Sequence, residues 1–133
     1  PHYITPKMLQ FRLQKIMDEY CAGVSTYYQT NAKMLEMCEK KLEMIKEDSL
    51  KMRAKDLHEL LRAWENYHRI ITAECHMKHI QFREETRYPG FYYRTDHNYI
   101  DDENWKCFVN SRYDRDTKQW AMKKVPYVQL IKD

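Results

Sequence analysis

The sequence predicts a mainly α fold. An antiparallel three-helix bundle of the spectrin-like, up-down-up kind is expected over residues 6–87, then an extended segment and a small β-hairpin over 88–133, all in a single domain, 1–133. Three observations carry that expectation. Apolar residues recur every three or four positions in three separate stretches, the period of one helix face. The joints between those stretches are short, which favours antiparallel neighbours. After Gly90 the helical period stops, and partial alternation with turn residues takes over.

Taken in order, residues 1–5 read as an extended lead-in, and Pro6 suits the first turn of a helix. Leu9, Leu13, Ile16, Met17 and Tyr20 form the inward stripe of this first helix, which Gly23 ends after about Cys21. Thr30 or Asn31 offers a cap for the second helix, expected over Ala32 to Met52 with Met34, Leu35, Cys38, Leu42 and Ile45 facing in. Its outer face carries the pairs Glu36–Lys40 and Glu47–Lys51 at i,i+4. Its methionines read as gap-fillers in a core.

The third stretch is the longest. Asp56-Leu57-His58-Glu59 has the form of a capping box, and Leu57, Leu60, Leu61, Trp64, Tyr67, Ile71, Cys75 and Phe82 recur at helical spacing as its expected inward face. A helix to Arg87 is expected, stopped by Pro89 and Gly90. Beyond it, Asp101 to Asn104 read as an acidic turn before Trp105. Trp105 to Tyr113 and Gln119 to Val125 pair as a hairpin about the turn Asp114–Lys118. Such a hairpin is marginal alone and must pack on something. Tyr127 to Ile131 form an extended apolar tail.

Composition limits the function. Hydrophobic residues are 43% and charged residues 32%, which predicts a soluble, folded chain. The 23 basic residues are interleaved with 20 acidic ones, without the clustered stripe of a nucleic-acid binder. Four cysteines lie apart with no C-x-x-C pair, as in a reduced, cytoplasmic protein. No apolar run reaches the ~20 residues of a membrane span. The first residue is Pro, not Met, so a fragment or processed product is expected. With only Gly23 and Gly90, the chain lacks the glycine-rich turn of a dinucleotide or phosphate loop.

Candidate chemistry is sparse. Glu65 and His68 make one Glu-x-x-His pair where a di-iron bundle needs two. Cys75, His76 and His79 form half of a zinc site without a visible second half. No catalytic, cofactor-binding or metal-binding residue is therefore assigned. The densest mixture of charge and aromatics lies from Arg83 to Trp105, and arginine with large aromatics is the composition of interface anchors. Arg83, Glu85, Arg87, Tyr93, Arg94, Asp102 and Trp105 are the interface candidates.

Those residues also carry a resemblance. The run from Phe82 through Arg83-Glu84-Glu85-Thr86-Arg87-Tyr88-Pro89-Gly90 to Asp96, with Asp101-Asp102-Glu103-Asn104-Trp105 after it, resembles the C-terminal end of the alpha subunits of dissimilatory adenylylsulfate reductases. Leu13 to Tyr20 and Asp56 to Leu60 are similar in the same order, so the likeness spans nearly the whole chain. A more distant similarity is to the helical C-terminal domain of succinate dehydrogenase and fumarate reductase flavoproteins, which usually have Arg-Gly-Ala-His where this chain has Arg87-Tyr88-Pro89-Gly90. The resemblance implies a helical domain that packs on an FAD domain of the same subunit and on an iron–sulfur beta subunit. The whole enzyme would interconvert adenosine 5′-phosphosulfate with AMP and sulfite. The cofactor and substrate motifs would lie outside this sequence, leaving the fragment inactive alone. From another class, a freestanding helical interaction module without catalysis would share the helices and the aromatic cluster.

Overall fold

The computed structural model describes residues 3–88 and 90–131. Of the expected features, the first two residues of the lead-in, Pro89 as a helix stop, and the last two residues of the domain lie outside the described residues. The chain is mainly helical with a small antiparallel hairpin. In order it forms α1 (Pro6–Tyr20), a 3-10 turn (Val24–Thr26), β1 (Gln29–Thr30), α2 (Ala32–Ser49), α3 (Leu57–Phe82), β2 (Tyr93–Arg94), the single-turn α4 (Asp102–Trp105), β3 (Cys107–Asp114) and β4 (Gln119–Pro126).

Side-chain caps set the helix starts. Thr5, Asn31 and Asp56 each accept a hydrogen bond from the amide three residues on, at Met8, Met34 and Glu59. Glu59 accepts from the amide of Lys55, one residue beyond the Asp56 amide that a capping box would use. Gly23 is needed where it stands: a Cβ there would lie 2.3 Å from the Cα of Asp18.

One core draws on α1, α2 and α3: Leu9 and Leu13, then Leu35, Cys38, Leu42 and Ile45, then Ile70, Ala73, Met77 and Ile80. Polar contacts fix the spacing. The Asn66 amide donates to the Pro6 carbonyl at 2.7 Å, and the Tyr67 hydroxyl to the Ser49 carbonyl at 3.2 Å. Lys78 pairs with Glu39 at 2.5 Å.

The inward face of α3 is not the one its large residues suggest. Leu57, Leu60, Leu61, Trp64 and Ile71 are exposed, while the core side is Ala63, Asn66, Ile70, Ala73, Glu74, Met77 and Ile80. Both sides of this helix carry apolar residues at helical spacing. The smaller set faces the core shared with α1 and α2, and the larger set lies on the opposite side. α3 also ends at Phe82, five residues before Arg87, and α2 ends at Ser49 rather than Met52.

β3 and β4 pair in antiparallel register from Cys107↔Pro126 to Asp114↔Gln119, and Lys118 takes a left-handed φ of 56° at the turn. The inner face of the hairpin packs on α3. Ser111 Oγ lies 2.9 Å from His79 Nε2, and the Trp120 indole N–H donates to buried Glu74, which also pairs with Lys46 of α2. Among the described residues, no helix is long and apolar enough to cross a membrane.

Candidate interface site

The charged run after Phe82 folds against the end of α3. A helix leaves its last carbonyls without internal partners. Here Arg94 supplies them: Nη1 donates to the carbonyls of Ile80 (2.8 Å), Gln81 (3.2 Å) and Arg83 (3.2 Å). This is why α3 stops at Phe82 without glycine or proline. The other side of the same guanidinium holds both carboxylate oxygens of Asp96, at 3.0 and 2.9 Å. Asp96 in turn accepts from the Ala32 amide at the start of α2, at 2.9 Å. The cation thus sits at a helix C-terminus and the anion at a helix N-terminus, each where the backbone dipoles favour it. The Arg94 guanidinium, helped by that amide, holds the Asp96 carboxyl at a pKa of about 2.

Arg94 is brought there by a strand pair. β2 lies parallel to β1, with Gln29↔Tyr93 and Thr30↔Arg94 in register. Thr86 Oγ1 accepts from the Arg94 amide at 3.0 Å and donates to the His97 carbonyl at 3.0 Å.

Glu85 is the second centre. Its side chain is 0% exposed and accepts from Arg83 at 2.7 Å, from Arg87 at 2.7 and 3.1 Å, and from the Asp101 amide at 2.9 Å. Burial alone would raise its pKa, but these donors outweigh burial and hold it below the ordinary carboxylate range. Arg83 also donates to the carbonyls of Trp105 (2.8 Å) and Cys107 (2.9 Å), tying the helix end to the start of β3. Trp105 packs edge-on against Phe82 and lies beneath the Lys124 ammonium, 3.6 Å from the ring centre.

The seven interface candidates therefore divide. Glu85, Arg94 and Trp105 are buried and hold the cluster together, offering no surface. Arg83, Arg87 and Tyr93 keep partial exposure, and Asp102 is exposed, receiving Arg87 at 2.8 Å. Beside them a cleft of about 560 Å³ opens between α3 and β3, lined by His79, Ile80, Arg87, Tyr92, Phe108 and Tyr127 among others. Sequence reading left Thr86, Glu74 and Ser111 unassigned. The signal for Glu74 was present: a carboxylate one step from Ile70 and Met77 on the small-residue side of α3 needs a partner.

Cys75 and His79 do share a face, but they converge on the Ser111 hydroxyl, at 3.6 and 2.9 Å. No group of three or more His, Cys, Asp or Glu side chains among the described residues is placed to hold a metal ion. All four cysteines are free thiols.

The chain belongs to the fumarate reductase flavoprotein C-terminal family, whose model matches residues 10–131. Within that family, it is 56% identical over 131 residues to the adenylylsulfate reductase subunit alpha of Megalodesulfovibrio gigas. That alignment covers 98% of this chain and 20% of the relative. The chain thus spans about a fifth of the length of the relative it matches. The solved structure of the Archaeoglobus fulgidus adenylylsulfate reductase superposes with a TM-score of 0.97 at 56% identity, over 99% of this chain and 21% of that one. An adenosine-5-phosphosulfate reductase in complex with sulfite, as a covalent adduct, matches with the same values. An E. coli quinol fumarate reductase chain superposes at TM-score 0.82 with 19% identity, over 97% of this chain and 22% of that one, a likeness of fold alone.

Neither glycine of this chain offers a binding turn to the pyrophosphate of a flavin dinucleotide. Gly23 is filled by Asp18 and opens a 3-10 turn, and Gly90, with φ 92°, faces open space. Neither forms the tight turn at a helix N-terminus that a pyrophosphate needs.

Proposed function

We propose that this chain is the C-terminal helical domain of an adenylylsulfate reductase alpha subunit. In this reading, FAD is bound by a flavin domain of the same subunit, and an iron–sulfur beta subunit supplies or takes electrons. The whole cytoplasmic enzyme interconverts adenosine 5′-phosphosulfate with AMP and sulfite. The chain's own residues do no chemistry. They complete the subunit as a single domain whose three helices run up, down and up. Asn66 against Pro6, Tyr67 against Ser49 and Lys78 against Glu39 are the contacts such an arrangement makes.

The observation that carries the reading is 56% identity at TM-score 0.97 along essentially the whole chain. The geometry supports it. A helix that is apolar on two sides is one buried on two sides, and α3 has Leu57, Leu60, Leu61, Trp64 and Ile71 uncovered opposite its core side. The hairpin covers the same outer side further along, at Cys75 and His79. The flavin domain is the natural cover for the remainder. Arg83, Arg87, Tyr93 and Asp102 form the polar part of the interface, held in place by Glu85, Arg94 and Trp105.

The test is to purify the complete subunit with its partner. A flavin absorbance band and electron transfer to an artificial acceptor that requires both sulfite and AMP are expected. A complete subunit without flavin, or turnover indifferent to AMP, would contradict the proposal.

A further inference from the structure

The surface charges of the helices and those of the hairpin are arranged differently. On the helices and in the joint between α2 and α3, Lys40 pairs with Glu36, Lys46 with Glu43, Lys51 with Asp48, Lys55 with Glu59, and Arg62 with Glu65, while Lys7, Lys33 and Lys41 make no ion pair among the described residues. Residues 106–126 instead hold six Lys or Arg against two Asp, a net charge of +4 in a chain whose total is +3. Lys106 and Lys124 lie over the rings of Tyr127 and Trp105. Arg112, Arg115, Lys118 and Lys123 are exposed and make no ion pair among the described residues.

The register puts the unpaired cations on one side. The inner face of the hairpin, with Ser111 and Trp120, is the one bonded to α3. Its outer face presents Phe108, Asn110 and Arg112 on β3, and Ala121 and Lys123 on β4. Lys123 is paired with Asn110 and Arg112 with Ala121, so the two cations are diagonal neighbours. Diagonal neighbours lie roughly 7–8 Å apart, where like charges repel. Folding gains nothing from that placement, whereas an approaching anionic surface does.

We infer that the outer face of the β3–β4 hairpin, centred on Arg112 and Lys123, is a docking surface for the acidic face of another protein chain. A protein fits better than a polyphosphate backbone. The turn interrupts its cations with Asp114 and Asp116, and exposed Phe108 shares the face. Mixed charges with an apolar patch are the makeup of a protein interface, while nucleic-acid binding calls for an uninterrupted basic stripe. The inference rests on this face alone and does not require the enzymatic reading above.

The probe is a glutamate oligopeptide, titrated into the complete protein at low salt and followed by carbodiimide cross-linking. Cross-links concentrated at Lys118 and Lys123 are expected. So is an affinity about tenfold weaker in Arg112→Glu/Lys123→Glu and near wild type in Lys40→Glu on α2. Both effects should fade at about 0.15 M salt, where the Debye length is about 8 Å. Four results would overturn it: cross-links spread evenly over the surface lysines; an affinity unmoved by the double reversal; tighter binding of a DNA duplex than of the peptide; or a protein dimer that the double reversal dissolves, which would assign the face to a second copy. A complete protein that lacks flavin yet binds the peptide at this face would leave the inference standing and refute only the enzyme assignment.

Discussion

Leu42 and Glu85 are both fully buried, one in the core shared by α1, α2 and α3, the other a few residues past the end of α3. Leu42 belongs to an apolar cluster with Leu9, Leu35, Ile45 and Met77, where burial is stabilised by apolar area and close packing. Around Glu85 the neighbours are two guanidiniums and an amide, and burial is tolerated only because every charge is met. The first kind of interior depends on volume and forgives a change of chemistry that keeps it. The second depends on charge and does not forgive even a change that keeps shape.

Shape-conserving substitutions separate the two most strongly. Glu85→Gln leaves Arg83 without its anion and Arg87 with Asp102 alone, and should cost about 3 kcal/mol or more in unfolding free energy. The comparison breaks if chemical denaturation gives less than about 1 kcal/mol. Arg94→Lys keeps the charge but loses the planar fork that serves three carbonyls and Asp96 at once. A loss of about 2–3 kcal/mol is expected, with amide exchange quickened in the last turn of α3. Leu42→Met, which keeps volume in the apolar core, should cost less than about 1.5 kcal/mol.

Acid sharpens the same contrast. Asp96 has a folded pKa of about 2, below its ordinary value of 3.8. A depressed carboxylate contributes stability that is present above the ordinary value and is lost as pH falls through the folded one. Wild-type stability should therefore fall between about pH 4 and pH 2. Asp96→Asn should start lower and fall less steeply over that window, read from thermal midpoints across the range. The smallest effect belongs to the outer side of α3. Trp64→Ala in this chain alone should change stability by about 1 kcal/mol or less, because Trp64 is mostly exposed and its ring packs edge-on against Tyr67 of the same helix.

How much of this the sequence discloses follows from the same division. The starts of α1, α2 and α3 are legible because caps are local: Thr5, Asn31 and Asp56 act on amides three residues away. The alternation of β3 is legible for the same reason. The inward side of α3 is not, since Leu57, Leu61 and Trp64 outweigh Ala63 and Ala73 in any hydrophobic pattern while the closer-packed small residues take the core. The end of α3 is set by Arg94, which is eleven or more residues from the carbonyls it caps and arrives through a strand pair with Thr30. The charged run is recognisable in sequence as dense, but which of its members are caged and which are presented depends on partners that only the fold brings together. Glu85 and Asp102 look alike in the sequence and differ from 0% to 65% in side-chain exposure.

The central claim is that α3 is built to be covered on two sides, and that the second cover belongs to the rest of a larger protein. Hydroxyl-radical footprinting of Trp64 and Leu61 tests it most directly, comparing the complete protein with this chain alone. Strong protection of both side chains in the complete protein, with Tyr27 labelled alike in the two samples, is the predicted result. Equal labelling of Trp64 in both samples would leave the outer side of α3 facing water and contradict the account.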